Sequence, residues 1–423
     1  MNNVLKSVLT LASGNLINQA ILLLTYPIIS RIYSPEDFGT FEQVNAILIV
    51  FIMLGSLRYE TAIIVSKDET ESRNTLVLSS MILIILTMLI FFLLIIFSSK
   101  IASWLSNPKL GKFLLWMVPL LFMAGMQQIF FNWTIRNKNI NQANLSNIFK
   151  SSINSIGRVV LGLFAANPIS LFVSRFTSYF LSFMALFIKE MKEFKTAIIQ
   201  KEISGKSIRN SAIKHKEFPL FMSGGVIFNR MATSITPLML SGFFGVRWLG
   251  FYAMANTALN IPIAILRSSL QTVFLQEMFE KKNSGTGLFK DLVKITSYIL
   301  ILGIIPLIVI IVFGPSIFSF VLGPTWETSG IIASFIITWL FVSIVNTPSI
   351  ALIPVLKIQR YFIIFQAILF VTRIAILLWT NEHFGSERAV LLGLVAHGCI
   401  FNIFNMIYVF SKTFQSDNIG EAI

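Results

Sequence analysis

The sequence predicts an all-α integral membrane protein with about twelve transmembrane helices. Of its 423 residues, 55% are hydrophobic and only 12% are charged, whereas soluble domains carry about 25% charged residues. Apolar stretches long enough to cross a hydrocarbon core of about 30 Å as a helix recur along the whole chain. Their cores lie near residues 4–31, 38–65, 74–98, 112–134, 143–165, 168–188, 218–245, 248–275, 290–313, 326–349, 358–380 and 388–411.

The basic residues predict the orientation of these helices. The formal net charge is +14, and most of the Lys and Arg side chains fall in segments that face the cytoplasm if the N-terminus is inside. The longest of these segments lies near the middle of the chain, with six predicted spans on each side. Both termini are therefore expected to be cytoplasmic. The positive charge follows from membrane topology, and no nucleic-acid partner is expected.

Residues of the first half recur in the second half at a nearly constant spacing, which predicts an internal duplication. Six spans per repeat is an even number, so the two repeats share one orientation and an axis along the membrane normal relates them. The predicted organisation is an N-terminal six-helix lobe (1–188), a cytoplasmic inter-lobe segment (189–217) and a C-terminal six-helix lobe (218–423). A V-shaped molecule with a central cavity and alternating access is expected. The matched residues are Gly14, Pro27, Gly39, Asn45 and Arg58 with Gly224, Pro237, Gly250, Asn256 and Arg267.

Seven basic residues fall inside the predicted spans. A cation at bilayer depth costs at least about 2.5 kcal/mol, so it normally faces a protein interior, a wet cavity or a ligand. Only Glu42 and Glu60 are comparable buried acids. The excess of positive charge predicts a cavity for an anionic group. The seven residues are Arg58, Lys150, Arg158, Arg175, Arg230, Arg267 and Arg373.

The depths of these cations suggest different roles. Arg58 and Arg267 are related by the repeat and lie in the inner-leaflet half, where two guanidinium groups suit the oxygens of a phosphate. Arg158 and Arg230 are expected near mid-depth, on the path of a substrate moving outward.

The remaining basic residues have less specific interpretations. Lys150 and Arg175 lie about two turns from a span end, and we expect them to extend towards the interface. Arg373 has no accompanying polar stripe, which leaves packing and function equally open. Arg31 either caps the outer end of the cavity or packs structurally.

Polar side chains form helical stripes in three predicted spans. Residues spaced three, four, seven or eleven apart share one helix face. Such a stripe either lines the cavity, where Asn154, Asn256 and Asn260 would bind the substrate, or forms hydrogen bonds between helices. The stripes are Asn147, Ser151, Asn154 and Arg158; Ser223, Arg230, Ser234 and Ser241; and Asn256, Asn260, Arg267 and Gln271.

The two buried acids also have two interpretations. Glu42 and Glu60 either pair structurally with neighbouring Arg residues or form a protonatable, ion-coupling site that resets a carrier. The sequence does not decide between them.

No motif predicts a cofactor, a metal or a catalytic site. Residues 205–207 resemble the end of a phosphate-binding loop, but Gln200 occupies the position of the first glycine. The three histidines lie in different segments, and Cys399 is the single cysteine. A membrane polysaccharide polymerase or glycosyltransferase remains an alternative, although such enzymes usually carry a large external loop. A multidrug antiporter is a further alternative, although cationic drugs call for buried acids.

Several segments carry a resemblance to a known family. Gly14, Pro27, Arg31 and residues 33–39 and 58–60 resemble the opening of bacterial polysaccharide flippases. Residues 322–326 and 356–360 are similar to the tenth and eleventh spans of that family. These proteins are the O-antigen and capsule transporters of the multidrug/oligosaccharidyl-lipid/polysaccharide exporter superfamily.

The resemblance implies a transporter without enzymatic activity. It would export an undecaprenyl-diphosphate-linked oligosaccharide, used in lipopolysaccharide or other polysaccharide biosynthesis, across the bacterial inner membrane. Its expected partners are this lipid-linked glycan, membrane lipids and other polysaccharide-assembly proteins. The cavity arginines of related lipid II flippases carry over to Arg31, Arg58 and Arg267. The resemblance also implies coupling to an ion gradient or to the membrane potential.

Overall fold

The computed structural model describes residues 3–105, 107–108, 110–199, 204–219, 224–283 and 287–420. Within these ranges the side chains of 3–12, 191–199, 224–226, 268–273, 275–276, 283 and 419–420 lie outside the description. The described chain is almost entirely helical and contains no strand. Its helices are α1 (Asn3–Ile32), α2 (Pro35–Leu54), α3 (Tyr59–Val65), α4 (Glu69–Trp104), α5 (Leu110–Arg136), α6 (Ile140–Phe164), α7 (Pro168–Ile199), α8 (Gly205–Lys214), α9 (Gly224–Asn283), α10 (Phe289–Leu322), α11 (Glu327–Val345), α12 (Thr347–Val355), α13 (Gln359–Phe384) and α14 (Glu387–Gly420).

The predicted all-α membrane fold is confirmed. Within the described residues, each of the twelve predicted spans lies largely on helix, and nine helices are long and apolar enough to cross a membrane. Both spans predicted between residues 218 and 275 fall on α9, which therefore counts once. The predicted spans outside the nine are α1 and α6, and α6 carries the polar stripe that ends at Arg158.

The second predicted span, 38–65, is not one continuous helix, and that prediction was wrong. It divides into α2 and α3 because Leu57 and Arg58 adopt left-handed backbone angles, with φ of 50° and 65°. Local bonds satisfy the interrupted backbone: the Leu57 amide donates to Leu54 O at 2.9 Å, and the Thr61 hydroxyl donates to Arg58 O at 2.6 Å. Since α2 alone rises about 30 Å, Arg58 lies just beyond its C-terminal end, which the sequence predicts to be the inner one.

The tenth predicted span, 326–349, is also interrupted, here at Asn346 and without a left-handed residue. Helix α11 ends at Val345 and α12 begins at Thr347. Pro348 lies in the first turn of α12, where the missing proline amide costs no helical hydrogen bond.

Helix α9 bends at Gly245, which separates residues 224–244 from residues 246–283. The backbone angles of Gly245 are φ 85° and ψ 169°, a conformation that glycine adopts without the steric penalty of a Cβ atom. The bend falls between the seventh and eighth predicted spans.

The chain forms two compact units, Met1–Gly250 and Phe251–Ile423. In the first unit, α1 packs on α6, α6 on α7, and α5 on both α4 and α7. Its described hydrophobic cluster includes Ile63, Leu83 and Trp133. These side chains hold the short helix α3 against α4 and α5.

In the second unit, α11 packs on both α10 and α14, and α13 packs on α14. A buried cluster that includes Met278, Leu352 and Val409 joins α9, α12 and α14. At the end of α9, Lys281 Nζ donates to Asp291 Oδ2 at 2.6 Å and pairs with Glu277, and these hydrogen bonds raise the pKa of Lys281.

A reciprocal glycine contact supports the predicted duplication. A Cβ atom at Gly39 would lie 1.9 Å from Val246 O, and one at Gly250 would lie 1.7 Å from Pro35 O. Gly39 and Gly250 are separated by the same interval as Pro35 and Val246. Each predicted repeat would therefore place its glycine against the matching backbone segment of the other. Both positions require glycine because the facing group is backbone and cannot move aside.

A second close approach, between α10 and α11, yields a stability prediction. A Cβ atom at Gly330 would lie 2.5 Å from Gly314 O. We expect Gly330→Ala to lower the melting temperature, because overpacking typically costs about 1–3 kcal/mol. The matched control is Gly205→Ala in α8, where a Cβ atom meets nothing within 4 Å. Thermal unfolding of both purified variants in detergent checks this, and equal melting temperatures would contradict it.

Candidate functional site

The aromatic ring of Phe41 lies beside two guanidinium groups in the first unit. Arg158 Cζ is 5.0 Å from the ring centroid and Arg175 Cζ is 5.6 Å from it. Cation–π contacts of this kind contribute about 0.5–2 kcal/mol each, with the larger values in desolvated sites. Arg158 is only 7% exposed. Three helices, α2, α6 and α7, therefore bring two like charges to one aromatic ring.

The neighbouring residues of these helices complete a group that we call the N-terminal cluster. On α6, Lys150, Asn154 and Arg158 follow one another at intervals of one turn and share a face. On α7, Arg175 and Tyr179 have the same spacing. The cluster comprises Phe41, Glu42, Asn45, Lys150, Asn154, Arg158, Arg175 and Tyr179.

Glu42 is the single acid of the N-terminal cluster and is linked to Arg175 through Asn45. The Arg175 guanidinium donates from Nη1 to Asn45 Oδ1, and Asn45 Nδ2 donates to Glu42 Oε2 at 3.0 Å. The N-terminal cluster as defined thus contains three cations and one carboxylate. Two positive charges of the cluster have no carboxylate to balance them.

Lys150 and Arg175 point into the protein, so the prediction that they extend to the interface was wrong. Lys150 Nζ donates to Gln127 Oε1 at 3.3 Å and lies 5.3 Å from the Tyr179 ring centroid. Arg175 lies 6.0 Å from the same centroid. The aromatic ring and the polar acceptors stabilise both charges inside the helix bundle.

The N-terminal cluster also has unused hydrogen-bonding capacity. Arg158 Nε and Asn154 Oδ1 are buried and have no hydrogen-bond partner within the described structure. A buried group without a partner costs about 1–3 kcal/mol, and more when it is charged. Together with the excess charge, these atoms suit a polar ligand that carries negative charge.

Just beyond the C-terminal end of α2, Arg58 pairs with Glu60. Arg58 Nη1 is 3.5 Å from Glu60 Oε1, and the exposed fractions of the two side chains are 28% and 5%. The Ser56 hydroxyl donates to the other carboxylate oxygen, and Asn132 Nδ2 donates to Glu60 O at 3.1 Å. The structure thus favours the structural-pair interpretation of Glu60. Arg58 remains partly accessible.

In the second unit, the residues of the eighth predicted span are bonded to protein groups. Arg267 Nη2 donates to Ser343 Oγ at 3.1 Å. Asn260 Nδ2 donates to Asn256 Oδ1 at 2.9 Å, so these two amides pair with each other. The Gln271 side chain lies outside the described residues.

Arg373 is buried in the second unit, at 3% exposure. Its Cζ lies 4.8 Å from the Trp339 ring, and Nη2 is 3.5 Å from His397 Nδ1. The Thr372 hydroxyl contacts the other ring nitrogen of His397 at 2.9 Å. These partners favour a packing role for Arg373.

Two further predicted binding residues are exposed. Arg31 donates from Nη1 to Pro27 O at 3.5 Å, and the Arg230 side chain is also exposed. Ser234 and Ser241 of the same stripe are buried instead, while Ser223 lies outside the described residues. The polar stripe of the seventh predicted span therefore combines one exposed side chain with two buried ones.

Sequence reasoning missed the roles of Phe41, Asn45, Gln127 and Tyr179. Helical spacing gives part of the signal, since Tyr179 follows Arg175 by one turn and Asn45 follows Phe41 by one turn. That spacing does not indicate which helices meet.

Polar contacts in the N-terminal part of α2, which the sequence predicts to be its outer end, accompany the reciprocal glycine contact. Gln43 Nε2 donates to Ser241 Oγ at 2.5 Å, and Asn107 Nδ2 donates to Gln43 Oε1 at 2.7 Å. The Arg247 guanidinium is 3.3 Å from Glu36 Oε1. We call this region the outer contact.

The fold is that of transporters of the MOP superfamily. A multidrug resistance MATE family transporter in an inward-facing conformation superposes with a TM-score of 0.75 at 10% identity, covering 95% of this chain and 96% of that one. The lipid II flippase MurJ in an inward closed conformation gives 0.72 at 13% identity, covering 97% and 90%. A MOP superfamily transporter from Pyrococcus furiosus gives 0.55 at 13% identity, covering 97% and 96%.

The sequence itself defines the family. The profile of the polysaccharide biosynthesis protein family matches residues 4–275, and the chain belongs to that family. No curated protein matches the sequence.

The charge balance of the N-terminal cluster predicts opposite effects on stability for two substitutions. We expect Glu42→Ala to lower the melting temperature by the equivalent of about 1–3 kcal/mol, because it removes the single carboxylate beside three cations. Arg158→Met should leave the melting temperature unchanged or raise it, because an apolar side chain of similar length removes an unbalanced buried charge. Thermal unfolding in detergent measures both. Equal destabilisation by the two substitutions would show that Arg158 has a mainly structural role.

Proposed function

We propose that the protein is a flippase that moves an undecaprenyl-diphosphate-linked oligosaccharide repeat unit, such as an O-antigen or capsule unit, across the bacterial inner membrane. Membership of the polysaccharide biosynthesis family and the flippase-like fold support this proposal. The observation that carries it is the N-terminal cluster, which contains three cations and the single carboxylate of Glu42. A diphosphate diester carries two negative charges, which match the two positive charges in excess.

The proposed path begins at the inner membrane surface. Arg58 and Arg267 capture the diphosphate, since guanidinium groups bind phosphate oxygens bidentately. Arg158 then attracts it to mid-depth, together with Lys150 and Arg175 of the same cluster. The partial exposure of Arg58 and the unpartnered Nε of Arg158 support these assignments.

The remaining predicted binding residues serve the sugars and the outer part of the path. In this proposal Asn154 accepts hydrogen bonds from sugar hydroxyls, and Asn256 and Asn260 exchange their mutual bond for bonds to the glycan. Arg230 attracts the diphosphate at mid-depth as Arg158 does, and Arg31 binds it at the outer end before release.

Alternating access is the proposed transport mechanism, with residues 1–188 and 218–423 acting as lobes and 189–217 connecting them. Release to the outside then requires the outer contact to separate, including the Gln43–Ser241 hydrogen bond. An inside-negative membrane potential favours the outward movement of an anion by about 2.3 kcal/mol per charge per 100 mV. The potential alone can thus contribute to export.

Glu42 is the proposed ion-coupling residue. Its carboxylate reaches Arg175 through Asn45, so a proton or cation at Glu42 would change the charge balance of the whole N-terminal cluster. Glu60, which is paired with Arg58, is the second candidate. Arrival of a cation after release of the glycan would return the carrier to its starting state.

The fold is shared with multidrug transporters, so the choice of substrate rests on charge. A cationic drug would meet net repulsion at the N-terminal cluster. A lipid-linked glycan supplies the negative charge that the cluster lacks.

The proposed path predicts which arginines are needed for export. Arg58→Ala, Arg267→Ala and Arg158→Ala should each lower surface polysaccharide by at least about tenfold, since losing one charge-assisted hydrogen bond costs about 1.5–3 kcal/mol. Arg388→Ala, an exposed residue at the start of α14, is the matched control. Complementation of a deletion strain, with protein amounts equalised by immunoblot, measures the effect. Normal polysaccharide in the three variants would overturn the assignment.

The identity of the accumulated intermediate separates a flippase from a polymerase. Deletion of the gene should leave single lipid-linked units on the cytoplasmic leaflet. The same units on the periplasmic leaflet would instead indicate a polymerase or glycosyltransferase.

The outer contact gives a separate prediction for alternating access. We expect a disulfide between Gln43→Cys and Ser241→Cys, in a Cys399→Ser background, to abolish export and a reductant to restore it. The control is each single cysteine variant under the same oxidation. Full export by the cross-linked protein would show that the outer contact need not open.

A further inference from the structure

The hydroxyl of Ser343, on α11, is the hydrogen-bond acceptor of Arg267. Arg267 Nη2 donates to Ser343 Oγ at 3.1 Å, and among the described residues this is the single hydrogen bond of the Arg267 side chain. Both side chains are half-buried. A hydroxyl oxygen accepts the hydrogen bond without neutralising the guanidinium, so Arg267 is held in place and keeps its full charge.

The bond to Ser343 leaves Arg267 able to bind a phosphate. A guanidinium group has five N–H donors in a planar fork, and two of its edges each present a pair of donors. Ser343 takes one proton of Nη2, so one complete edge remains free for the two parallel hydrogen bonds that a phosphate accepts. Holding the side chain beforehand reduces the conformational entropy lost on binding. Ser343 can therefore position Arg267 without competing with the ligand.

The sequence around this bond contains no carboxylate. Helix α9 has no Asp or Glu before Glu277, which lies about 15 Å further along the helix from Arg267. The single acid of α11 and α12 is Glu327, about 24 Å along the helix axis from Ser343. The charge of Arg267 is therefore not balanced by an acid on its own helix or on the helix that holds it.

The repeat-related residue Arg58 differs in this respect. Its Nη1 is 3.5 Å from Glu60 Oε1, so a carboxylate offsets its charge and competes with a phosphate for its donors. At the sequence interval that relates Arg58 to Arg267, the counterpart of Glu60 is Ser269. The two arginines thus share a position in the predicted repeats, but Arg267 keeps more of its charge for a ligand.

A buried network fixes the part of α11 that carries Ser343. Ser343 lies one turn before Asn346, the residue that follows the end of α11. Asn346 Nδ2 donates to Asn402 Oδ1 at 2.9 Å, and Asn405 Nδ2 donates to Asn346 Oδ1 at 3.0 Å. Asn346 and Asn405 are buried. Because both polar atoms of the Asn346 side chain are bonded to α14, the end of α11 has a fixed position, and so does Ser343.

We propose that Ser343 is a positioning residue for Arg267 and makes Arg267 the stronger of the two arginines that capture the diphosphate. Arg58 binds more weakly, because Glu60 occupies part of its guanidinium. This inference rests on the proposed function and adds a supporting residue and a ranking to its capture site.

A double-mutant cycle on the full-length protein in nanodiscs tests the positioning role. The probe is radiolabelled undecaprenyl diphosphate, and a scintillation proximity assay measures its Kd. We expect Ser343→Ala to raise the Kd roughly fivefold in the wild-type background and to have no effect in an Arg267→Met background, since two residues that act together are not additive. Ser343→Thr keeps the hydroxyl and should retain a Kd within about twofold of the wild type.

The matched control is Ser334→Ala, two and a half turns before Ser343 and therefore on the opposite face of α11. Its hydroxyl donates to Ile331 O of the same helix at 2.7 Å, and the Kd should stay unchanged. An equal rise in Kd on Ser343→Ala with and without Arg267 would indicate a general packing effect and overturn the positioning role. An unchanged Kd in Ser343→Ala would overturn it as well.

The ranking of the two arginines has its own readout in the same assay. Arg267→Met should raise the Kd more than Arg58→Met does. Glu60→Gln should lower the Kd, because it removes the charge that offsets Arg58. A larger loss of affinity with Arg58→Met than with Arg267→Met, or no gain with Glu60→Gln, would overturn the ranking.

The outcome is separable from that of the proposed function. If the deletion strain accumulates lipid-linked units on the cytoplasmic leaflet but Ser343→Ala binds the probe as the wild type does, the positioning role is wrong and the flippase assignment stands. If no lipid-linked unit accumulates, the flippase assignment fails whatever the Kd values.

Discussion

The hydrocarbon core of the bilayer is the constraint on which the rest of the structure depends. Without water, every backbone amide and carbonyl must find a hydrogen-bond partner within the protein. A helix meets this requirement within a single segment. Breaks are tolerated where other groups replace the lost bonds. The segment between α2 and α3 shows this, because the Leu57 amide and the Thr61 hydroxyl satisfy local carbonyls. Such a break places Arg58 outside the regular part of a helix and leaves it partly exposed.

The same medium determines how positive charge is stabilised. The chain places Arg158 and Arg175 against the face of Phe41, and Arg373 against Trp339. A carboxylate beside each guanidinium would neutralise it and remove its attraction for a ligand. Aromatic rings stabilise the cation while leaving its charge in place. The N-terminal cluster therefore sacrifices some stability and keeps positive charge that no carboxylate neutralises, a compromise typical of functional sites.

Much of the fold could be predicted from the sequence, because the length of an apolar stretch and the placement of Lys and Arg are local properties. The excess of buried cations over acids was visible for the same reason. The orientation of Lys150 and Arg175 was not, because it depends on Tyr179 and Asn45, which only tertiary packing brings near. The breaks at residues 55–58 and at Asn346 also escaped prediction, since apolar composition continues through them. Asn256 and Asn260 proved to be partners of each other, which a helical stripe cannot distinguish from a binding surface.

The two reciprocal contacts, of Gly39 with Val246 and of Gly250 with Pro35, have an evolutionary consequence. Glu36 and Arg247, which form an ion pair, also occupy equivalent positions in the two repeats. Residues that meet their own counterparts lie near a pseudo-twofold axis, as in the isologous interface of a symmetric dimer. A single ancestral repeat could have made the same contact between two identical chains. Fusion of the two copies then allowed one to retain an acid where the other acquired a base, an asymmetry that no homodimer can encode.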